Sequence, residues 1–128
     1  MKRTIISIFA LLLSGCASTE QNFDNQRFAR DMIYCGHANY MVGLGFGVNQ
    51  ITQQAVQNSK RYFGIAIEAT NEKFVMEESP KIEKSVQNEF IGSTDSKWKG
   101  MDLPAIWESL TSDCLIKLKP YSEYKSIS

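Results

Sequence analysis

The chain has 128 residues, equal numbers of acidic and basic side chains, and 22% charged residues. This length suits one domain with a modest hydrophobic core. The even charge balance argues against two classes, because nucleic-acid binders and proteins that attach to anionic lipid through polybasic segments both carry a basic excess.

The N-terminus has the pattern of an export signal. A charged start is followed by an apolar stretch over 4–13, which is too short to cross a bilayer core that needs about 20 helical residues. The following Leu13-Ser14-Gly15-Cys16 resembles the signal of bacterial lipoproteins, in which cleavage precedes the cysteine and its thiol is acylated. The resemblance implies a signal peptide over 1–15 and a palmitate-bearing Cys16 that anchors the chain without spanning the membrane. The alternative is an ordinary secretory signal that happens to end in cysteine.

The mature chain then begins with the lipidated cysteine and a short polar tether over 16–22. Extended, residues 17–22 reach only ~20 Å, so the domain is expected to stay close to the bilayer. Ala17 in the second mature position, rather than Asp, resembles the sorting signal of outer-membrane lipoproteins. We therefore expect a cell-envelope protein that faces the periplasm, and we favour the outer membrane over the inner membrane as its location.

Two amphipathic helices are predicted in the first half of the domain. The first begins near 22–24, with Asp24 or Asn25 as its N-cap, and ends in a glycine-rich segment over 43–47. The second begins after Asn49, and its broad apolar stripe indicates a long helix through the middle of the core, with Gly64 as a possible close helix crossing. The stripe of the first helix is Phe28, Met32, Cys35, Asn39 and Val42, and that of the second is Ile51, Ala55, Ser59, Tyr62, Ala66, Ala69 and Phe74.

The second half predicts two more helices. Ser79-Pro80 is typical of an N-cap followed by proline at the first helical position, and the third helix is expected to end near Gly92. After a polar loop, Asp102 opens a fourth helix that Pro120 should end, leaving a tail over 121–128. The core stripes are Ile82, Val86 and Phe90, then Leu103, Trp107, Leu110, Cys114 and Leu118 with Ile106 beside them. The sequence thus predicts an all-α domain over 23–120, a compact bundle of about four helices.

Once Cys16 is assigned to the lipid, Cys35 and Cys114 remain, and we expect them to form a disulfide between the first and last helices. Closing a loop this long would stabilise the fold by roughly 4 to 5 kcal/mol. A catalytic thiol or a metal ligand are the competing hypotheses. His37 is the single histidine of the chain, so a clustered zinc site is not expected, and Cys35-Gly36-His37 lacks the first cysteine of a haem-attachment motif.

Two segments are candidates for partner binding. The glycine segment is either a simple helix-breaking corner or a loop that displays Leu44 and Phe46 to a partner or to lipid. Trp98, between two lysines in a polar loop, either folds back over the bundle or is an exposed anchor for a protein, since Trp is enriched among binding hot spots. No nucleophile, base and orienting residue can be grouped from this sequence, so neither an enzyme nor a cofactor is expected.

The spacing Cys35-x4-Tyr40-x2-Gly43, with Cys114 late in the chain, resembles small helical two-cysteine periplasmic immunity proteins. Those proteins protect bacteria from peptidoglycan-cleaving amidases delivered by type VI secretion. The resemblance covers roughly 25–118 and implies occlusion of an enzyme cleft by a helix or loop, without assigning binding residues. We therefore expect a lipid-anchored, non-enzymatic protein-binding module, with a structural or assembly lipoprotein of an envelope complex as the alternative.

Overall fold

The computed structural model describes residues 23–91 and 98–127, and within them it is an all-α bundle. The signal peptide, Cys16 and the tether, together with the expected helix end at Gly92, lie outside the described residues. The four helices are α1 (Asn25–Gly45), α2 (Gln50–Ala69), α3 (Glu72–Ile91) and α4 (Leu103–Ile127). The predicted fold class is confirmed, including the covalent link between the first and last helices.

Local side-chain caps begin three of these helices, α1, α2 and α4, where the sequence predicts them. The backbone N–H of Arg27 donates to the Asp24 carboxylate at 3.0 Å, which makes Asp24 the N-cap of α1. Asn49 forms a reciprocal capping box with Thr52 at the start of α2. At the start of α4, the Asp102 carboxylate accepts a hydrogen bond from the N–H of Ala105 at 3.0 Å.

The central helix is α1, whereas the sequence predicted that the second helix would run through the core. This helix packs against each of the other three. Small residues on several faces of α1 let the neighbouring helices approach it closely, so side chains on these faces are buried without crowding. The buried residues of α1 are Phe28, Ala29, Met32, Ile33, Cys35, Gly36, Ala38, Asn39 and Val42.

The close approach of α1 to α2 uses Gly36 and Gly43, and the prediction that Gly64 would provide it was wrong. A Cβ added at Gly36 would lie 2.8 Å from the Phe63 ring, and one at Gly43 would lie 2.6 Å from a methyl of Val56. A Cβ at Gly64 would meet nothing within 4 Å. The α1 glycines therefore admit side chains of α2 into space that any other residue would fill.

The predicted start of the third helix at Ser79-Pro80 was also wrong. The second helix ends at Ala69, and α3 already begins at Glu72, so Pro80 lies inside it and Phe74 belongs to α3. Asn71 provides the earlier cap, since its side chain accepts from the N–H of Phe74 at 2.8 Å. Starting there places Val75 in the core, and this burial offsets part of the cost of a proline inside the helix.

Proline does not end α4 either, because the helix continues through Pro120 to Ile127. The next residue, Tyr121, is buried and stacks on Phe28 with ring centroids 4.5 Å apart. Its hydroxyl also donates to Glu68 at 3.3 Å. The predicted tail over 121–128 is therefore, as far as residue 127, the last part of a core helix.

Along α4, the middle of the predicted stripe is confirmed at Leu110 and Cys114, whereas its outer positions are only partly buried. Ile106, which the sequence placed beside the stripe, is buried together with Leu110 and Cys114. Trp107 and Leu118 are only partly buried and pack against the margin of the core. Ile106 and Trp107 lie four and three residues before Leu110, so both flank the same helix face, and tertiary packing decides which of them is buried.

Candidate partner-binding surface

The end of α1 and its connection to α2 display three apolar side chains to solvent. Leu44 is 64% exposed, Phe46 37% and Val48 89%. The exposure of Leu44 and Phe46 agrees with the hypothesis that the glycine segment displays them. Their role in binding stays a prediction. Val48 was not selected from the sequence. The position of Val48 between the glycine segment and the Asn49 cap could have indicated its exposure, because no helix face covers a residue there.

Hydrogen bonds hold this connection in one shape although little packs against it. The Asn49 side chain donates to the carbonyl of Phe46 at 3.0 Å and accepts from the N–H of Thr52 at 2.9 Å. The backbone N–H of Asn49 donates to the Thr52 hydroxyl at 2.9 Å. Gly47 has a φ of 78°, a conformation that side-chain-bearing residues rarely adopt. Local hydrogen bonds and the conformation of Gly47, rather than packing against a core, therefore fix the shape of this connection.

The exposed surface continues from the corner along α1. Tyr40 is 47% exposed and precedes Leu44 by four residues, so both lie on the same face of the helix. His37 lies three residues before Tyr40 on that face. We call the four exposed apolar residues Tyr40, Leu44, Phe46 and Val48 the corner surface.

A cavity of about 280 Å³ adjoins this surface between α1, α2 and α3. Tyr40 belongs to both features. Ser59 lies at the α1–α2 contact, where its hydroxyl donates to the carbonyl of Gly36 at 2.8 Å. The residues that line the cavity are His37, Tyr40, Val56, Ser59, Lys60, Phe63 and Glu83.

His37 is held in place at the cavity by two neighbours. Its Nε2 lies 2.7 Å from the hydroxyl of Ser79, with which it shares a hydrogen bond. The Phe63 ring meets the imidazole edge-on at a centroid distance of 4.9 Å. Burial lowers the pKa of His37, and this effect outweighs the opposing influence of the Glu83 carboxylate. The imidazole is therefore predominantly neutral at pH 7.

The His37–Ser79 pair escaped the sequence analysis because 42 residues separate the two positions. A histidine beside a hydroxyl is also half of a hydrolase site, but such a site needs N–H donors for the oxyanion. Ser79 lies inside α3, where backbone N–H groups bond within the helix, and the next residue is Pro80, which has no N–H. We therefore interpret the His37–Ser79 pair as a structural hydrogen bond that joins α1 to α3.

Trp98 lies in the core, and the hypothesis of an exposed anchor was wrong. Its side chain is 5% exposed, and its ring lies 5.6 Å from that of Phe90. The structure thus corresponds to the other alternative, in which Trp98 folds back over the bundle. The physical reason is the large apolar area of the indole, whose burial stabilises the fold more than exposure between two lysines would.

Polar contacts on another side of α1 attach α3 and α4. Glu78 accepts hydrogen bonds from Arg30 at 2.8 Å and from Lys81 at 3.0 Å, and the bond from Arg30 is the main reason for its lowered pKa. The Tyr34 hydroxyl donates to Glu89, and the Lys117 ammonium lies 4.2 Å from the centre of the Tyr34 ring. Burial raises the pKa of Tyr34, and the bond to Glu89 raises it further. These groups tie helices together.

The disulfide prediction is confirmed: Cys35 and Cys114 are bonded, with their Cα atoms 5.9 Å apart, and both are fully buried. Across residues 23–91 and 98–127, no three or more His, Cys, Asp or Glu side chains group as metal ligands. In the same described part of the chain, no helix is long and apolar enough to cross a membrane.

Compared with models of known protein families, with curated proteins and with solved structures, the chain shows no significant match.

Proposed function

We propose that this chain is a lipid-anchored, non-enzymatic protein-binding module of the bacterial cell envelope, and that the corner surface contacts its partner. The observation that carries the proposal is the exposure of Leu44, Phe46 and Val48 on a connection fixed by the Asn49 cap. Contiguous exposed apolar groups are typical of interaction sites. A pre-ordered loop also loses less conformational freedom on binding than a mobile one.

The direction in which α1 points favours a protein partner over the bilayer. The helix has 21 residues and is therefore about 30 Å long. Phe23 lies at its N-terminal end, against Phe28 and Tyr121, whereas the corner surface lies at its C-terminal end. If Cys16 carries the lipid, the tether joins the end remote from the corner. If α1 stands roughly perpendicular to the bilayer, the corner then faces the periplasm, away from the membrane.

Inhibition of a cell-wall-degrading effector is the specific role that we favour. Two features support it: the two-cysteine pattern that resembles immunity proteins, and a hydrogen-bonded corner whose exposed apolar side chains suit contact with an enzyme cleft. The alternative is a structural or assembly lipoprotein that holds a subunit of an envelope complex. Both roles use the corner surface, and the identity of the partner distinguishes them.

Site-specific photo-crosslinking in living bacteria tests the binding proposal. A photoreactive phenylalanine analogue replaces Phe46 in the full-length protein, and the same analogue replaces Met76 in a control. Met76 is exposed and apolar but lies early in α3, near the end of α2 opposite the corner. We expect a discrete adduct from position 46 that Leu44→Asp abolishes and that Leu115→Asp, a change at another exposed apolar residue, leaves intact. Equal adducts from positions 46 and 76, or none from 46, would contradict the proposal.

The anchor has its own test. Metabolic labelling with a palmitate analogue should mark the wild-type protein and not the Cys16→Ala variant. Label that persists after Cys16→Ala would exclude lipidation at this residue. The crosslinking result does not depend on this outcome, so the anchor and the binding surface are tested separately.

A further inference from the structure

The cavity beside the corner surface has the size and lining of a pocket for one side chain. Its volume of about 280 Å³ lies just below the ~300–1,000 Å³ of typical drug-sized ligand sites. Three rings, those of His37, Tyr40 and Phe63, contribute to its walls. Aromatic rings favour edge-on or offset contacts with another ring, so these walls suit an aromatic occupant.

The charges at the cavity indicate what should accompany that ring. Lys60 is exposed at the lining, and its ammonium makes no ion pair or hydrogen bond within the described part of the chain. Glu83 already accepts a hydrogen bond from Gln87 at 3.1 Å, and His37 is predominantly neutral. Lys60 is therefore the cation that this lining offers to a ligand, and a carboxylate is the group that complements it.

We propose that the cavity receives an aromatic side chain of the protein partner, whose neighbouring carboxylate pairs with Lys60. The inference rests on the proposed binding function and extends the interface from the corner along α1, because Tyr40 belongs to both the corner surface and the cavity wall. Aromatic side chains inserted into pockets are frequent hot spots of protein interfaces.

Small probes test the cavity without the partner. N-acetylphenylalanine carries a ring and a carboxylate, and N-acetylphenylalanine amide carries the ring alone. Each is titrated into the mature protein while NMR follows the Val56 methyls and the Phe63 ring. We expect saturable shifts at about millimolar concentration, as the small size of the probes dictates. The acid should bind about two- to fivefold more tightly than the amide, the range expected for an exposed ion pair.

Two variants separate the charge from the walls. Lys60→Glu should remove or reverse the preference for the acid, whereas Lys73→Glu, the same change at an exposed lysine outside the lining, should preserve it. Tyr40→Ala should weaken both probes. Thermal melts of each variant confirm that the fold is retained, and any variant that unfolds is replaced by Lys60→Gln or Tyr40→Leu.

The outcomes decide the cavity and the corner independently. The proposal is overturned if neither probe gives saturable shifts at the cavity, or if acid and amide bind equally to the wild type. If the crosslink from position 46 persists in that case, the proposed function stands and only the pocket assignment is wrong. If the probes bind as expected but position 46 gives no adduct, the assignment of the pocket to this partner fails with the proposed function.

Discussion

The middle of α1 and the corner that follows it use apolar residues for opposite purposes. In the middle, Met32, Ile33 and Cys35 are fully buried, and each large side chain there contributes about 1.5–3 kcal/mol to the free energy of folding. At the corner, Leu44 and Val48 remain mostly exposed and contribute little. The comparison teaches that local hydrogen bonds between side chains and backbone can hold a surface in shape where no core does so. Stability and binding can then be altered separately.

The largest expected effect concerns the disulfide in the middle of the bundle. Replacing Cys35 and Cys114 together by alanine should lower the free energy of unfolding by roughly 4 to 5 kcal/mol, because the unfolded chain regains the freedom of a 79-residue separation. Urea denaturation of the variant and the wild type measures the difference. Reduction of the wild type with dithiothreitol serves as the control. A loss below about 1 kcal/mol would show that helix packing alone accounts for the stability of this region.

The next effect distinguishes the two tryptophans. Trp98→Ala should lower the free energy of unfolding by about 3 to 5 kcal/mol, since it removes a buried indole from the core. Trp107→Ala should lower it less, because Trp107 is only partly buried. Chemical denaturation of both variants checks the order. If Trp98→Ala leaves the stability unchanged, Trp98 is not a core residue.

Two glycine-to-alanine substitutions form a matched pair whose effects on stability should be of intermediate size. Gly36→Ala should destabilise the fold by about 1 to 3 kcal/mol, because the added methyl meets the Phe63 ring. Gly64→Ala meets nothing within 4 Å and should stabilise α2 by roughly 0.5 to 1 kcal/mol through helix propensity. Opposite signs in thermal melts are expected. The same sign for both would contradict the close approach of α1 to α2 at Gly36.

The smallest effect on stability should come from the corner. Leu44→Ser should change the free energy of unfolding by at most about 0.5 kcal/mol, since Leu44 is largely in solvent, whereas Phe46→Ser should cost more because Phe46 is only 37% exposed. Thermal melts measure this change. Asn49→Ala is the informative contrast, because loss of an N-cap typically destabilises by about 1 kcal/mol and would release the corner. A loss above 2 kcal/mol from Leu44→Ser would place Leu44 in the core.

Patterns confined to a few consecutive turns could be predicted from the sequence alone. The all-α class, the α1 stripe and the caps at Asp24, Asn49 and Asp102 depend on helical periodicity and on side chains that bond to nearby N–H groups. The disulfide was predictable because two cysteines fell on the inner faces of the first and last helices.

Tertiary structure decided whatever depended on distant partners. Pro80 and Pro120 carry strong local signals for a helix start and a helix end, yet burial of Val75 and Tyr121 extends both helices across them. Burial in the core likewise decided between the two alternatives for Trp98. The cavity requires three helices to meet and the His37–Ser79 hydrogen bond requires two, and no spacing along one helix encodes either meeting. Local hydrogen bonds are determined by neighbours in sequence, whereas burial is determined by neighbours in space.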